Sequence, residues 1–479
     1  MWMNTLLFRV IHNKPLSWCM TRTLSHTQLG STNSISQTQQ RCRNLKDKKK
    51  KKPVPFNPGA SWEERLSDVA TPLWRMGYKE QLEYKLNALR STLRDITIHV
   101  RARGGKVVDC DGLFCPLQDI IPSPVMNGYR NKSSFSVNRG PDGDPKTVGN
   151  FVGTGRDRNI VCVRADHLIN IPEKHKHVAR CYEDFIHQSP LAPCLLFYDG
   201  GHWRDVVVRT NKKGETMAIV TFHPQDLPQN EVLSHIQSLK DYFTQGPGSE
   251  CNLTSLYYQE NNPKTHQPSP PRLLYGSPHL TEQVLDLRLR VSPTSFLQVN
   301  TPAAETLYTA LGNMIQRHAH GTLLDLCCGT GAIGLSLAGY FKNVIGVEMV
   351  EDAVLDARWN ADFNGIENCQ FLSGRAEKLL PNLLSYKQKE LSVLAVANPP
   401  RAGLHPRVVR ALRNCEDIRT LLFVTCKPEG EATRNLTELC CAPSLEQKIL
   451  GEAFVPQEAL GVDLFPHTTH CELALLLTR

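Results

Sequence analysis

The chain has 479 residues, of which 41% are apolar and 21% are charged. This length predicts two or three domains of about 150 residues each, and the composition is typical of a soluble globular protein. No run of about 18 uncharged apolar residues occurs, which argues against a transmembrane helix and a membrane partner. Residues 1–52 carry 11 lysines and arginines against one acidic residue, so the formal charge of +8 comes from this stretch and says little about what the rest binds.

The N-terminal segment, residues 1–52, has the composition of a mitochondrial transit peptide that ends in a basic linker. Before Asp47 it contains no acidic residue, and its arginines are scattered among 11 serines and threonines. This pattern predicts import into the mitochondrial matrix. Two other interpretations stay open: a disordered basic tail, and a nuclear signal built on the lysine run from Lys46 to Lys52.

Three further regions follow in chain order. Residues 53–118 predict an N-terminal helical region, because leucines from Leu82 to Leu93 recur at helical spacing, and we expect this helix to pack on its own domain. Residues 119–280 contain short β-type runs between turn-forming residues, which predicts a β-rich central domain. Residues 281–479 alternate apolar strands with helical segments, which predicts an α/β domain with a parallel sheet.

The first strand of this C-terminal domain runs into a glycine loop. The strand TLLDL is followed by CCGTGAIG, and the next strand ends in Glu348, 19 residues after Gly329. A carboxylate at that offset can accept hydrogen bonds from both ribose hydroxyls of a nucleoside cofactor. The loop has the form D-x-x-x-G-x-G, which favours S-adenosylmethionine over a dinucleotide. Asp325 is therefore a candidate cofactor ligand, and a carboxylate that braces the loop is the alternative.

Two later strands end in residues that carry chemistry. One runs into NPPRAGL, which begins at Asn398, and the other ends at Cys426. Ligands bind outside the carboxyl ends of parallel strands, so neighbouring strands would bring Asn398 and Cys426 together beside the cofactor. After the short turn FPHTTH the last strand must run antiparallel to its predecessor, which places Glu472 at the same edge near Cys426.

A thiol, a carboxylate and a methyl donor together predict methylation at carbon 5 of a pyrimidine. Carbon 5 becomes nucleophilic once a thiolate has added to carbon 6, and a base must then remove the carbon 5 proton. Cys426 is the predicted nucleophile and Glu472 the predicted base. A free thiol with a pKa of about 8.5 needs help to ionise, and Lys427 is poorly placed to give it, because adjacent strand residues face opposite ways.

The motifs resemble, in order and in sequence, those of RNA uracil-5-methyltransferases. They are NGYRNKSSFSV, SPTSFLQVN, DLCCGTG, GVE, NPPRAGL, FVTCKP and DLFPHTTHCE. The resemblance implies a Rossmann-like class I S-adenosylmethionine-dependent methyltransferase domain preceded by a β-rich RNA-contacting region. It also implies 5-methyluridine formation in the T loop of mitochondrial tRNA, with small-subunit rRNA as a further substrate. Gln298, Glu348 and Asn398 would contact the cofactor or the base.

An RNA substrate needs positively charged side chains on the protein to contact its phosphate groups. Arg130, Lys132 and Arg139 are candidates for phosphate contact, although an exposed solvated face explains them as well.

The chain departs from the family in having Asn398 where aspartate is usual and Lys427 where asparagine is usual. An amide still suits uracil, because it accepts from the ring N–H and donates to the adjacent carbonyl, but it cannot carry a proton.

The 16 cysteines predict no metal site. The chain has no C-x-x-C and no pair of cysteine and histidine motifs at zinc-ligand spacing. The CGGC that belongs to the iron–sulfur cluster of some bacterial members of the family is absent as well. We expect most of these cysteines to be reduced thiols that pack as small hydrophobic side chains.

Three alternative functions remain at this stage. An RNA cytosine-5-methyltransferase also places Thr-Cys at this strand end, but usually adds a second cysteine on the preceding strand, where NPPRAG has none. A methyltransferase of amino nitrogens normally follows its two prolines with an aromatic residue, and here Arg401 follows. The third alternative is a protein that binds RNA without catalysis, and the intact Cys426 and Glu472 argue against it.

Overall fold

The described residues form two seven-stranded sheets and a short hairpin. The computed structural model describes residues 59–108, 110–153, 159–195, 200–261, 268–385 and 392–479. The predicted transit peptide and basic linker, residues 1–52, lie outside these ranges, as do residues 53–58. Within the described ranges, no helix combines the length and the apolar character needed to cross a bilayer.

In the described part of the chain, two helices precede the first sheet, α1 (Trp62–Ala70) and α2 (Tyr78–Arg101). Helix α1 begins at Ser61, whose hydroxyl accepts a hydrogen bond from the backbone N–H of Glu64, while the Glu64 carboxylate accepts from the backbone N–H of Ser61. These reciprocal bonds satisfy two N–H groups that a helix start otherwise leaves open.

Helix α2 is the helix predicted from the leucine spacing, and its apolar face is covered. Leu89, Leu93, Ile96 and Val100 are buried in the core on one face of the C-terminal sheet. We expected this helix to pack on its own domain, and instead it forms part of the layer over the C-terminal sheet. The sequence could not show this, because a leucine stripe indicates burial without naming the surface that covers it.

The first sheet lies in the central region and is mixed. Its spatial order is β3-β2-β1-β4-β5-β6-β7, and every neighbouring pair is antiparallel except β5 and β6. The strands are β1 (Lys132–Asn138), β2 (Thr147–Val152), β3 (Val161–Val163), β4 (Trp203–Thr210), β5 (Thr216–Phe222), β6 (Ser255–Glu260) and β7 (Arg272–Gly276).

Two helices in this region were missed by the sequence analysis, α3 (Glu173–Gln188) and α4 (Gln229–Thr244). Helix α4 connects the parallel strands β5 and β6, as such a connection requires. Helix α3 buries Val178, Tyr182 and Phe185 in the core of the first sheet. The region therefore contains helices as well as strands. In helix α3 many charged residues and histidines hid the helical spacing of the apolar ones, whereas in α4 that spacing is present and was overlooked.

The C-terminal sheet has the order β12-β11-β10-β13-β14-β16-β15. Strands β10 to β14 run parallel, and β16 lies antiparallel between β14 and β15. The strands are β10 (Thr322–Leu326), β11 (Asn343–Glu348), β12 (Cys369–Ser373), β13 (Val393–Ala397), β14 (Ile418–Thr425), β15 (Val455–Val462) and β16 (Glu472–Thr478). A separate hairpin, β8 (Leu280–Val284) with β9 (Leu287–Val291), precedes this sheet in the chain.

Helices cover both faces of the C-terminal sheet. One core contains residues of α5 (Thr301–Ile315), α6 (Ala332–Leu337) and α7 (Glu351–Phe363). The opposite core contains α2 together with α8 (Ala376–Ser385), α9 (Pro406–Asn414) and α10 (Glu431–Cys440). Burial on both faces explains why strands such as LLFVT are continuously apolar, since a strand with two covered faces needs no polar alternation.

Candidate active site

The glycine loop turns the chain sharply from β10 into helix α6. Cys327, Gly329 and Gly331 all have positive φ angles, of 61°, 56° and 80°. A Cβ atom at Gly331 would lie 2.9 Å from the Phe371 ring. This position therefore requires glycine for both its conformation and its space, and the loop leaves its backbone close to the carboxyl end of β10.

Glu348, at the end of β11, is held by the backbone of two segments. Its Oε2 accepts a hydrogen bond from Gly329 N–H at 3.1 Å, and its Oε1 accepts from the N–H groups of Met349 and Val350 at 2.7 and 3.0 Å. The carboxylate thus lies directly against the glycine loop, as the offset of 19 residues predicted. Oε1 already accepts two hydrogen bonds, whereas Oε2 accepts one and retains lone-pair capacity for a ribose hydroxyl.

Asp325 is fully buried beneath the loop, and one of its carboxylate oxygens has no hydrogen-bond partner among the described residues. Its Oδ2 accepts from Gly334 N–H at 2.9 Å, which braces the start of helix α6. Its Oδ1 has no partner within the described chain, and neither has the buried hydroxyl of Thr330. Burial, together with the charge of Glu348, raises the pKa of Asp325 to about 7. The bracing role raised as an alternative is thus present, and the unpartnered atoms fit a polar cofactor beside the loop.

Gln298 lies in the loop of residues 292–300, which reaches the glycine loop from the other side. Gln298 is buried, and its backbone carbonyl accepts from Asn131 Nδ2 at 2.8 Å. A Cβ atom at Gly329 would lie 3.4 Å from the Phe296 carbonyl, and the Phe296 side chain is 59% exposed. The hydrogen bond from Asn131 connects the central region to this loop. It therefore links the motif NGYRNKSSFSV to the motif SPTSFLQVN in the structure.

Asp356, on helix α7, anchors the same loop and was missed by the sequence analysis. The carboxylate is fully buried and accepts from Ser292 N–H, from the Ser292 hydroxyl and from the Ser295 hydroxyl, at 2.8, 2.8 and 2.6 Å. Arg290 pairs with it at 2.7 Å. Asp356 is a positioning residue for the loop that carries Gln298, and no local motif around it indicated this.

The strand order brings together the residues predicted to do chemistry. Strands β13 and β14 are parallel neighbours, so Asn398 and Cys426 both follow strand ends at one edge. In the antiparallel pair of β14 and β16, Thr425 pairs with Leu473, which makes Cys426 and Glu472 the next residues on the two strands. Asn398 N–H also donates to the Leu326 carbonyl, at the end of β10, at 3.3 Å.

Cys426 is half-buried and has charges of both signs beside it. Burial and the charge of Glu472 raise the pKa of the Cys426 thiol, while a hydrogen bond from Arg401 and its positive charge act to lower it. Arg401 belongs to the NPPRAGL turn, which follows β13. Strand β13 is the neighbour of β14, the strand that Cys426 follows. The sequence analysis named Arg401 only as a departure from another motif, and the strand adjacency was the signal that could have linked it to Cys426.

Glu472 is almost completely buried, at 1% exposure. Burial raises the pKa of its carboxyl to about 8, and Oε2 has no hydrogen-bond partner within the described chain. Its charge also acts on Tyr308 of helix α5, which Asp325 influences as well. A buried carboxyl with one free oxygen, next to a thiol at a sheet edge, is suited to proton transfer.

Positive side chains lie close to this edge without carboxylate partners. Lys132 pairs across strands with Arg209, and the charges of Arg209 and Arg130 add to burial in lowering the pKa of Lys132 to about 8. Arg401 acts on Arg130 in the same direction. Among described residues, no carboxylate lies within 4.0 Å of Arg130, Lys132 or Arg401. Arg139, the third candidate, is exposed and donates to the Gly143 carbonyl at 3.1 Å.

The fold and this edge define a class of protein. A parallel sheet with one antiparallel strand inserted beside its last member, a glycine loop after the first strand and an acid after the second belong to class I S-adenosylmethionine-dependent methyltransferases. The fold is also that of a solved structure, the tRNA (uracil-54, C5)-methyltransferase of Pyrococcus abyssi in complex with S-adenosyl-L-homocysteine. The two share a TM-score of 0.60 and 23% identity over 86% of each chain.

Sequence comparison narrows the class to a family. The model of the family described as tRNA (Uracil-5-)-methyltransferase matches residues 279–479. The human tRNA (uracil-5-)-methyltransferase homolog B is 54% identical over 440 residues, which is 90% of this chain and 87% of that protein. The homolog B of Danio rerio is 53% identical, over 91% of this chain and 92% of that protein. The chain belongs to the tRNA (uracil-5-)-methyltransferase family.

Family membership confirms several predictions made from the sequence. These are the resemblance itself, the class I α/β fold, the transferase class of enzyme and S-adenosylmethionine as the cofactor. The glycine loop, Glu348 and the free oxygen of Asp325 are the residues and atoms that would hold this cofactor.

Proposed function

We propose that this protein methylates carbon 5 of uridine in tRNA through a covalent adduct with Cys426. The observation that carries the proposal is the adjacency of Cys426 and the buried Glu472 on paired strands, at the edge that also carries the cofactor loop. We further propose the T loop of mitochondrial tRNA as the target, small-subunit rRNA as a second substrate and the mitochondrial matrix as the location. The acid-free N-terminal segment supports that location.

The chemistry begins at Cys426. Its thiolate adds to carbon 6 of the uracil ring, which turns carbon 5 into a nucleophile. Bound S-adenosylmethionine would supply the methyl group, whose carbon bonds to carbon 5 as its bond to the sulfonium sulfur breaks. Glu472, as a carboxylate, then accepts the proton of carbon 5, and the bond between carbon 6 and Cys426 breaks as the ring double bond re-forms. Cys426 leaves as a thiolate, so the thiol is not consumed.

Arg401 is assigned to the ionisation of Cys426. Burial and the nearby Glu472 both oppose a thiolate, so the site needs a positive group to offset them. Arg401 acts to lower the pKa of this thiol, and its guanidinium carries a permanent positive charge. Lys427 has an exposed side chain, and its backbone N–H donates to Thr425 Oγ1. We therefore assign the helper role to Arg401.

Asn398 and the positive groups near it are assigned to binding of the substrate. The Asn398 amide can accept the ring N–H of uracil and donate to a neighbouring carbonyl, which cytosine would not match. Arg130, Lys132 and Arg401 repel one another, and a phosphate group would relieve that repulsion. A target base within a folded loop must be flipped out at a cost of a few kcal/mol, and phosphate contacts of this kind hold the flanking backbone.

The experiment is to trap the adduct. Wild-type protein is incubated with tRNA that contains 5-fluorouridine and with S-adenosylmethionine, and the product is examined after denaturation. Fluorine cannot leave as a proton, so we expect a covalent protein–RNA species with the RNA on the peptide that contains Cys426. Cys426→Ala should give none, and Glu472→Gln should accumulate the adduct even on unmodified tRNA.

Two outcomes would contradict the proposal. Wild-type protein that forms no adduct, or Cys426→Ala that forms as much as wild type, removes the role of the thiol. Transfer of methyl groups to cytidine in place of uridine would instead favour the cytosine-5-methyltransferase alternative. Cys415→Ala is a matched control, because Cys415 is also partly buried but follows helix α9 at the other end of the sheet.

A further inference from the structure

Three side chains with metal-binding atoms meet beside the first sheet, and a fourth, Glu250, contacts two of them. His177 and Cys181 lie one turn apart on helix α3, so both are on one face of it. Cys251 is the last residue of the short 3-10 helix Pro247–Cys251, and Glu250 precedes it. Nε2 of His177 and the sulfur atoms of Cys181 and Cys251 all lie within 4.8 Å of one another. Two segments that are distant in sequence thus converge on one point.

The distances among these atoms suit one tetrahedral metal ion. Cys181 Sγ lies 3.9 Å from His177 Nε2 and 3.5 Å from Glu250 Oε1. His177 Nε2 lies 3.6 Å from Glu250 Oε1. With metal–ligand bonds of about 2.0–2.3 Å, neighbouring ligands in a tetrahedral zinc site are roughly 3.3–3.8 Å apart. The two contacts of Glu250 Oε1 fall within this range, and the contact between Cys181 and His177, at 3.9 Å, lies just above it, so a small side-chain adjustment would bring all three atoms to one zinc ion.

The donor set and its burial also favour zinc. Thiolate sulfur and imidazole nitrogen select zinc over hard cations such as magnesium and calcium, which prefer oxygen. The sulfurs lie inside, at 3% exposure for Cys181 and 0% for Cys251. The side chains of His177 and Glu250 are 32% and 65% exposed. An ion can thus arrive from the solvent side and reach two sulfurs that are already enclosed.

We propose that His177, Cys181, Glu250 and Cys251 bind one Zn²⁺ ion that fastens helix α3 to the segment leading into β6. On binding, each thiol releases its proton to solvent, and the ion is held by two thiolates, one neutral imidazole and one carboxylate. With four protein ligands the site is closed, which makes the ion structural and leaves no position for a catalytic water. The site belongs to the core of the first sheet and takes no part in methyl transfer.

The stabilising effect follows from what the ion would join. Helix α3 packs on the first sheet through Val178, Tyr182 and Phe185, and Cys181 and Cys251 belong to the same core. A bound ion would add a strong cross-link between the helix and the chain that enters β6. It would hold in place the sheet that carries Lys132 and Arg209.

The test uses the full-length chain in a reducing buffer. The purified protein is stripped with a chelator, titrated with Co²⁺ and then with Zn²⁺, and its metal content is measured by mass spectrometry. We expect one ion per chain and the charge-transfer absorption of cobalt bound to two thiolates. Cys251→Ser and His177→Ala should weaken zinc binding more than about 100-fold, because loss of an outer-shell partner alone costs about 10- to 100-fold.

The matched control is Cys162→Ser, since Cys162 is equally buried in the same region but lies outside the cluster. It should leave metal binding unchanged. The proposal is overturned if the wild-type chain shows no thiolate–cobalt absorption, if Cys162→Ser loses the metal as Cys251→Ser does, or if Cys181 and Cys251 form a disulfide in the reducing buffer. The titration of the wild-type chain decides the question even if a variant fails to fold.

Discussion

Lys85 and Asp463 form an ion pair in which both side chains are fully buried. Lys85 Nζ lies 2.6 Å from Asp463 Oδ1, and neither side chain has any exposed surface. Lys85 also donates to the Phe465 carbonyl at 3.0 Å, and the Tyr78 hydroxyl donates to Asp463 Oδ2 at 3.1 Å. The pair joins helix α2 to the turn that leads into β16, and therefore supports the strand that begins with Glu472.

Lys85→Met should destabilise the protein strongly. The substitution removes one partner and leaves the Asp463 carboxylate buried without its counter-charge, which costs about 3–5 kcal/mol. Urea denaturation monitored by circular dichroism measures the free energy of unfolding. Lys85→Met combined with Asp463→Leu should recover most of the loss, because no buried charge then remains unpaired. A loss below about 1 kcal/mol for the single variant would mean that solvent reaches the pair.

Methyl transfer should accelerate as pH rises. The thiol of Cys426 has its pKa raised by burial and by Glu472, and burial raises the pKa of Glu472 to about 8. Both groups act in their deprotonated forms, so kcat/KM should increase through neutral pH and level off only when both have ionised. Adduct formation by Glu472→Gln on unmodified tRNA should follow the ionisation of Cys426 alone. A rate that falls between neutral and mildly alkaline pH would contradict the assigned roles.

Arg401→Ala should make Cys426 less reactive at neutral pH. Without the guanidinium, burial and Glu472 act unopposed, so the pKa of the thiol should rise and the thiolate fraction at neutral pH should fall several-fold. Alkylation of Cys426 by iodoacetamide, followed by peptide mass spectrometry across pH, measures the shift directly. Arg401→Lys should restore part of it. Arg407→Ala is the matched control, since Arg407 is exposed on helix α9, and it should leave the alkylation profile unchanged.

Glu472→Gln should remove a pH dependence of stability. Burial raises the pKa of Glu472 from 4.5 to about 8 in the folded chain. Between these values the unfolded chain has released the proton and the folded chain retains it, so the free energy of unfolding falls as pH rises. The fall, on the order of 5 kcal/mol, is complete above the folded pKa. Glutamine does not titrate, so the variant should gain stability over wild type on going from about pH 4 to about pH 9, as urea denaturation can show. If the difference in free energy of unfolding between the variant and wild type is the same at both pH values, the prediction is wrong.

Lys132→Ala should weaken tRNA binding and reduce its salt dependence. Lys132 lies directly opposite Arg209 on the neighbouring strand, and like charges in such a pair are destabilising until an anion joins them. If a phosphate binds here, the slope of log affinity against log salt should drop by about 0.7–0.9. Filter binding at several salt concentrations measures this. Arg139→Ala tests the exposed candidate, and an equal effect in both variants would argue for a diffuse basic surface.

Much of the candidate site could be predicted because it follows strand ends. The strands before Gly329, Asn398 and Cys426 are continuous apolar runs that stop at residues unable to extend a sheet, and the parallel fold brings such ends to one edge. The short turn before Glu472 allows only an antiparallel return. The relation between Cys426 and Glu472 was therefore accessible without coordinates.

The remaining parts depend on contacts that local patterns do not encode. Helix α3 was missed because its apolar residues are mixed with as many charged ones, and helix α4 was missed although its apolar residues from Val232 to Phe243 recur at helical spacing. Arg401 was read within its own turn, although the thiol it contacts ends the neighbouring strand. Asp356 lies on a helix without any motif, and its role depends on a loop that packs against it.

The sequence by itself determined which groups carry the chemistry, because the nucleophile and the cofactor loop follow strand ends and the base begins the strand that returns antiparallel to the same edge. Only the tertiary structure decided which distant segments meet. It brought helix α2 onto the C-terminal sheet, Arg401 to Cys426, and His177 and Cys181 to Cys251. The physical reason is that periodicity records how each element buries its own face, while the partner that covers this face is chosen by packing of the whole chain.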